Sequence, residues 1–229
     1  MFFKSIIEAF QLLVGFDEEL MSLIGTSFYV AIISTSIAAL IAFPIGIWFG
    51  LSNFRGRNTL DVILNTMLFF PTVVIGNFVY MLLTRHGIFG SLDLLFSRTA
   101  IIIGQIILVA PLILTMVANS VRAADRRILM TAFTLGAGKV KSHLALLGEV
   151  KGLILLAMFA GFGRAISEVG VAMMLGGNIK GKTRTITTGM ALLTSQGDFA
   201  KATALGIVLL MLVFFINFLV YNATHRRKS

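Results

Sequence analysis

Cysteine is absent from the 229 residues, which excludes disulfides and thiolate metal sites and leaves the compartment open. Charge is also scarce: 13% of residues are Asp, Glu, Lys or Arg, against about 25% in a soluble domain. Proline occurs three times, and no stretch alternates as a half-buried strand does. What fills the chain instead is hydrophobic, 57% of it, arranged in runs near the ~20 residues that cross a bilayer. In hydrocarbon every backbone N–H and C=O must be paired within the protein, so such runs read as helices. Their length argues against the alternative, a soluble all-helical core.

Acidic residues are few, ten against nineteen basic, giving a formal charge of +9. A nucleic-acid binder gathers its cations on one soluble face. Here they stand between the apolar runs, so they report orientation and no nucleic acid is expected as a partner. Lys4, Glu8, Asp17, Glu18 and Glu19 interrupt any signal-peptide core, and no small-residue cleavage pattern follows, so the first residues do not read as a cleavable signal.

Residues 2–14 place Phe3, Ile6, Ile7, Phe10, Leu13 and Val14 at helical spacing opposite Lys4, Ser5, Glu8 and Gln11, the pattern of an amphipathic helix lying at the interface. The sequence thus divides into an interfacial helix over 1–21, a transmembrane domain over 22–221 and a basic tail over 222–229. Five spans are expected, at roughly 22–50, 59–83, 99–120, 152–175 and 202–221. Alternate connections carry eleven Lys and Arg on one side and seven on the other. By the positive-inside rule the N-terminus lies outside and the C-terminus inside. Four of the outer cations, Lys180, Lys182, Arg184 and Lys201, fall in one connection. They would favour an anionic substrate, or they are ordinary solvated loop charges.

The inner connection from about 121 to 151 is too polar to span and too patterned for a loose loop. Leu135-Gly136-Ala137 marks a turn after a helical stretch, and Val140, Leu144 and Leu147 follow at helical spacing. The helix–glycine–helix elbow is either a docking element for a partner or a plain interfacial hairpin. Gly176 to Thr183 matches the phosphate-loop expression, Gly, four residues, Gly-Lys-Thr. That motif needs a strand before it and a long helix after it, whereas an apolar membrane run precedes this copy. It therefore reads as an outer connection that binds no nucleotide.

Inside the spans, Arg164 and Glu168 stand one helical turn apart in the expected fourth span, either paired structurally or with Arg164 attracting an anion in a pathway. Pro71 and Pro111 interrupt spans two and three, as helix breaks lining a pathway or as packed kinks. Gly46 and Gly50 give span one a small-residue face for close helix contact. His86, His143 and His225 have no partner pattern for a metal.

The elbow resembles the cytoplasmic coupling motif of ABC importer permeases, whose usual form is Glu-Ala-Ala, two residues, Leu-Gly-Ala, and a later Leu-Pro. Ala132, Leu135, Gly136 and Ala137 match; Met130 and Thr131 replace the Glu-Ala, and Gly148-Glu149 the Leu-Pro. Phe70-Pro71-Thr72-Val73-Val74-Ile75-Gly76, Arg85-His86-Gly87, Gly163 to Gly170, and Gly176-Gly177-Asn178-Ile179 are similar to the oxyanion branch, the tungstate and molybdate permeases, and nearer in wording to the tungstate ones. The resemblance implies an all-α polytopic fold of the type I importer permease kind, with no catalytic residues and no cofactor. It implies as partners two cytoplasmic ATPase subunits, an extracytoplasmic binding protein, a second copy of the chain, an oxyanion and membrane lipid, in a bacterial or archaeal cytoplasmic membrane. It carries the coupling role to Ala132, Leu135, Gly136 and Ala137, and a pathway or gate role to Pro71, Thr72, Arg164, Glu168 and Asn178. A stand-alone channel or ion-coupled carrier is the competing class, but a carrier needs intramembrane acids for its coupling ion and has no use for the elbow. A membrane-embedded hydrolase would need a nucleophile–base pair or a metal cluster, and the sequence has neither.

Overall fold

In the computed structural model, which describes residues 14–225 together with 6, 7, 10 and 11, all regular structure among the described residues is helical. The expected interfacial helix over 2–14 lies for the most part outside the described residues.

Helix α1, Glu18–Leu51, has 34 residues and is about 51 Å long, so its ends extend beyond a ~30 Å hydrocarbon layer. Its start is fixed by Asp17, whose side chain accepts the Leu20 amide at 3.0 Å, and by Glu18 and Glu19 at the positive end of the helix dipole. The expected second span is two helices, α2, Arg57–Leu68, and α3, Thr72–Leu83, bent by 96° at Phe69–Pro71. Pro71 cannot continue α2 and takes the N-cap position of α3. A short 3₁₀ turn, Gly90–Leu92, leads to α4, Arg98–Ala123, capped by Ser97 accepting the Ala100 amide. Pro111 does not interrupt α4: it is buried inside an unbroken helix, the packed alternative.

After α4 come α5, Arg127–Thr134, and α6, Lys139–Ile166. Here the expected fourth span, 152–175, is corrected. The elbow's second arm and the span are one helix of 28 residues that stops at Ile166, and residues 170–176 form a separate short helix, α7, Gly170–Gly176. The break arises where the Ser167 hydroxyl turns back onto the Gly163 carbonyl at 2.6 Å and the Glu168 carboxylate accepts the Val171 amide at 3.1 Å, capping α7. Helix α8, Ile186–Ser195, is capped by a reciprocal Thr185–Thr188 box, and α9, Phe199–His225, is the last described helix. Among the described residues four helices, α1, α4, α6 and α9, are long and apolar enough to cross a membrane, and α2–α3 makes a fifth when the bent pair is taken as one span.

The small-residue face of α1 packs on α4. A β-carbon at Gly46 would stand 2.9 Å from the Leu114 carbonyl oxygen, and one at Gly50 would stand 2.7 Å from Val121 Cβ. This close approach lets Ala31, Ala38 and Ala42 of α1 share one core with Val109, Ile113 and Val117 of α4 and Ala157 of α6. Gln105, the buried amide of α4, accepts the Ser34 hydroxyl at 2.8 Å and donates to the Ala165 carbonyl at 3.0 Å, so one side chain joins α1, α4 and the last turn of α6.

The contacts sort the connections into two ends. At one, Arg98 at the start of α4 donates to the Lys182 carbonyl and the Thr26 hydroxyl of α1. Glu19 meets Lys180 at 3.0 Å, Arg184 at 3.5 Å and Lys201 at 3.6 Å, joining the starts of α1 and α9 to the loop before α8. At the other end, Arg57 bonds the Asn53 side chain and the Gly50 carbonyl, and Arg122 pairs with Asp61, joining the end of α1, the start of α2 and the end of α4. The elbow follows directly from that second end.

Candidate coupling elbow and helix-break site

The elbow residues form one hydrogen-bonded unit. The Gly136 amide donates to the Phe133 carbonyl at 3.0 Å and the Ala137 amide to the Ala132 carbonyl at 2.9 Å, with Gly136 at φ +80°. This is a Schellman turn, in which a left-handed residue lets two amides return to the last helical carbonyls. The spacing of the motif follows from it: Ala132 supplies the outer acceptor, Leu135 ends the helix, Gly136 takes the left-handed angle and Ala137 closes the ring. The Ser142 hydroxyl, buried, donates to the Gly138 carbonyl at 3.2 Å and holds the start of α6 to the turn.

The turn presents its apolar groups outward. Leu135 is 82% exposed, and Met130, Phe133, Val140 and Leu144 are exposed with it, while α5 has no buried residue. Leu147, expected on the same face as Val140 and Leu144, instead packs on the core beneath, as do Ile128 and Leu129. The elbow is therefore an amphipathic hairpin whose outer face is unmatched among the described residues.

Of the five residues assigned to a pathway or gate, the structure brings three together. The break at Pro71–Thr72 lies against the break at Ser167–Val169, since a β-carbon at Gly170 would stand 2.6 Å from Thr72 Oγ1 and 3.1 Å from the Val73 amide nitrogen. Only a residue with no side chain admits this approach. Glu168, buried at this junction, is a hub: its carboxylate caps α7 and its backbone carbonyl accepts the Thr187 hydroxyl of α8 at 2.7 Å. Asn178 reaches the same first turn of α8 by another route, donating to the Thr188 carbonyl at 3.4 Å while its own carbonyl accepts from Arg184.

Arg164 stands apart. It does not pair with Glu168 as the one-turn spacing allowed, because α6 ends between them and the Glu168 carboxylate is turned to α7. Arg164 is exposed and makes no ion pair among the described residues. The phosphate-loop look-alike closes on itself: the Thr183 hydroxyl donates to the Gly176 carbonyl and accepts the Ile179 amide. A seven-residue helix stands where a strand would be needed, and α8, of ten residues, opens behind its own Thr185 cap.

Sequence reasoning did not foresee the Gln105 bridge, the buried Thr185–Thr188 cluster, the Glu19 hub or the Arg122–Asp61 pair. A lone amide in an apolar run and four hydroxyls within six positions, Thr183 to Thr188, were the available signals for the first two. The ion pairs join residues more than 60 positions apart, and spacing carries no trace of them. An apolar recess of about 970 Å³ opens between α1, α6 and α9, and none of the candidate residues lines it.

Residues 42–229 match the family of binding-protein-dependent transport system inner membrane components. The chain is 41% identical over 214 residues to a tungstate uptake system permease protein of Peptoclostridium acidaminophilum, covering 93% of this chain and 94% of that one. It is 35% identical over 221 residues to the corresponding protein of Campylobacter jejuni, covering 96% and 91%. In fold it is similar to a chain of the MetNI methionine ABC transporter solved in inward-facing form, with a TM-score of 0.69, 16% identity, and 89% and 94% coverage. The chain belongs to the binding-protein-dependent transport system inner membrane component family, as a multi-pass, non-catalytic permease subunit of an ABC importer.

Proposed function

We propose that this chain forms the translocation pathway of an ATP-driven importer for a tetrahedral oxyanion, tungstate first and molybdate as the alternative. The observation that carries the coupling half of this reading is the Schellman turn at Ala132–Ala137 with its exposed apolar face, at the opposite end of the molecule from the Lys180–Arg184 loop. The substrate half rests on the relatives named for tungstate uptake and on the basic loop.

In this reading there are five spans, α2 and α3 together counting as one, with the N-terminus outside and the C-terminal tail in the cytoplasm. The permease domain covers 22–221, between an interfacial segment over 1–21 and the tail over 222–229. Two copies face each other about a twofold axis, because one chain supplies one elbow and each of two cytoplasmic ATPase subunits needs one. A separate extracytoplasmic protein delivers the oxyanion onto the loop that holds Asn178. ATP is hydrolysed in the partner, and the elbows carry the resulting motion into the membrane. Thr72 and Glu168, at the facing helix breaks, form the gate, and exposed Arg164 faces the pathway between the copies. A stand-alone carrier is disfavoured because Glu168, the buried acid among the described residues, is already committed to capping α7.

The test is copurification of the chain with its ATPase, then ATP hydrolysis in liposomes with the binding protein inside the assay. Hydrolysis stimulated by tungstate or molybdate and accompanied by oxyanion uptake is the expected result. Uptake by the purified chain without any ATPase would favour the carrier.

A further inference from the structure

One ion pair lies in neither candidate site and yet touches the routes to both. Arg122, in the last turn of α4, places Nη1 3.0 Å from Asp61 Oδ2 and Nη2 3.1 Å from Asp61 Oδ1, a fork against a fork. Its guanidinium lies 5.5 Å from the ring of buried Phe49. Four residues separate Arg122 from α5, which begins at Arg127, so any displacement of the elbow pulls directly on it.

Asp61 sits on α2, a helix with no buried residue. Few polar ties hold α2 in place: this fork, and the bonds of Arg57 to the Asn53 side chain and the Gly50 carbonyl. At its far end α2 runs into the 96° bend at Phe69–Pro71, beyond which Thr72 starts α3 against Gly170. A loosely seated lever thus joins the elbow side of the molecule to the helix-break gate. Charge pairs half-exposed as this one is contribute little to stability, but a bidentate pair fixes geometry.

A further observation concerns the arginine itself. Arg122 Nε is buried and has no hydrogen-bond partner. A buried donor left open is costly, and a carboxylate engaging Nε and Nη2 side-on would satisfy it. Moving from the present end-on pose to such a side-on one would shift α2 against α4.

We propose that the Arg122–Asp61 fork is the positioning link that transmits displacement of the elbow through α2 to the gate at Thr72 and Gly170. This rests on the coupling reading above. The experiment uses the assembled permease–ATPase complex in liposomes with Asp61→Asn, with Arg122→Lys, and with the charges exchanged as Asp61→Arg plus Arg122→Asp. Both single variants keep the ATPase bound and hydrolysing, while oxyanion uptake per ATP falls about tenfold, within the range of coupling between distant sites; the exchange restores part of it. Because the chain has no cysteine, spin labels at Val62→Cys on α2 and Ile107→Cys on α4 report the lever directly: their separation changes on ATP binding, and Asp61→Asn abolishes the change. Normal uptake per ATP in Asp61→Asn, or a label distance in the otherwise unaltered chain that ignores nucleotide, overturns the proposal; the second holds even if a charge variant fails to assemble. If Gly136→Val uncouples and Asp61→Asn does not, the link falls alone. If neither uncouples, the elbow reading falls with it.

Discussion

Replacing Gly136 with valine separates what the elbow's backbone demands from what its surroundings allow. Gly136 has φ +80°, and nothing lies within 4 Å of where its β-carbon would stand, so added bulk meets no wall inside the chain. The cost is therefore conformational. Holding a residue with a side chain in the left-handed region costs about 1–2 kcal/mol, and valine falls at the upper end because its branched Cβ restricts χ1. A change of that size lowers the population of the turn about 5- to 30-fold relative to its alternatives. The spans feel it little, since the turn itself contributes no buried residue and α5 touches the core only through the partly buried Ile128 and Leu129. Gly136→Val should insert in normal amount and lose ATPase copurification and oxyanion uptake together, each about tenfold, which corresponds to about 1.4 kcal/mol. Gly136→Asn separates the two explanations: asparagine tolerates the left-handed angle, so recovery shows that the angle is what matters, whereas a defect equal to that of valine shows that a partner surface needs the open space. A Gly136→Val chain that is inserted, keeps its ATPase and transports at the normal rate would refute the coupling assignment.

Gly50→Val should lower thermal stability in detergent by about 1–3 kcal/mol through overpacking, because its β-carbon would stand 2.7 Å from Val121 Cβ and 2.9 Å from the Ala118 carbonyl oxygen; an unchanged melting temperature would mean that α1 and α4 are less tightly joined than described. Lys182→Ala should leave ATP hydrolysis by the complex intact, since the Thr183 hydroxyl and Ile179 amide of that loop are already bonded to each other; photolabelling of this subunit by ATP, lost in the variant, would reinstate the phosphate loop. In the cysteine-free chain, single cysteines at Ser91 and Gln196 should react with an impermeant thiol reagent on intact cells, and those at Asn58 and Lys141 only after permeabilisation. The reverse pattern would invert the proposed topology.

Much of the fold was legible because a bilayer leaves few options. Apolar runs of spanning length had to be helices, and the Gly46–Gly50 face permitted a close neighbour, whereas Pro71 and Pro111 each left a helix break and a packed kink open. The elbow was legible for a similar reason: a Schellman turn is local, so Ala132, Leu135, Gly136 and Ala137 carry its whole geometry within six positions. The expectations that changed depended on contacts across the chain. Pro111 remained inside α4 because neighbouring helices bury it.

Arg164 and Glu168 had the spacing of a pair, and the tertiary structure separated them. Glu168 found an amide three residues ahead and the hydroxyl of Thr187 on another helix, and these fix a buried carboxylate more firmly than an exposed arginine one turn behind it. The meeting of Thr72 with Gly170 and the reach of Arg122 to Asp61 likewise join segments about 100 and 61 positions apart. Composition and local pattern determined that the chain is a helical membrane protein with an elbow turned at a glycine, because hydrocarbon and short-range hydrogen bonding act on neighbouring residues. Which broken helix faces which, and which charges pair, only the packed structure decided, because close contact between distant segments depends on how every helix in between is seated.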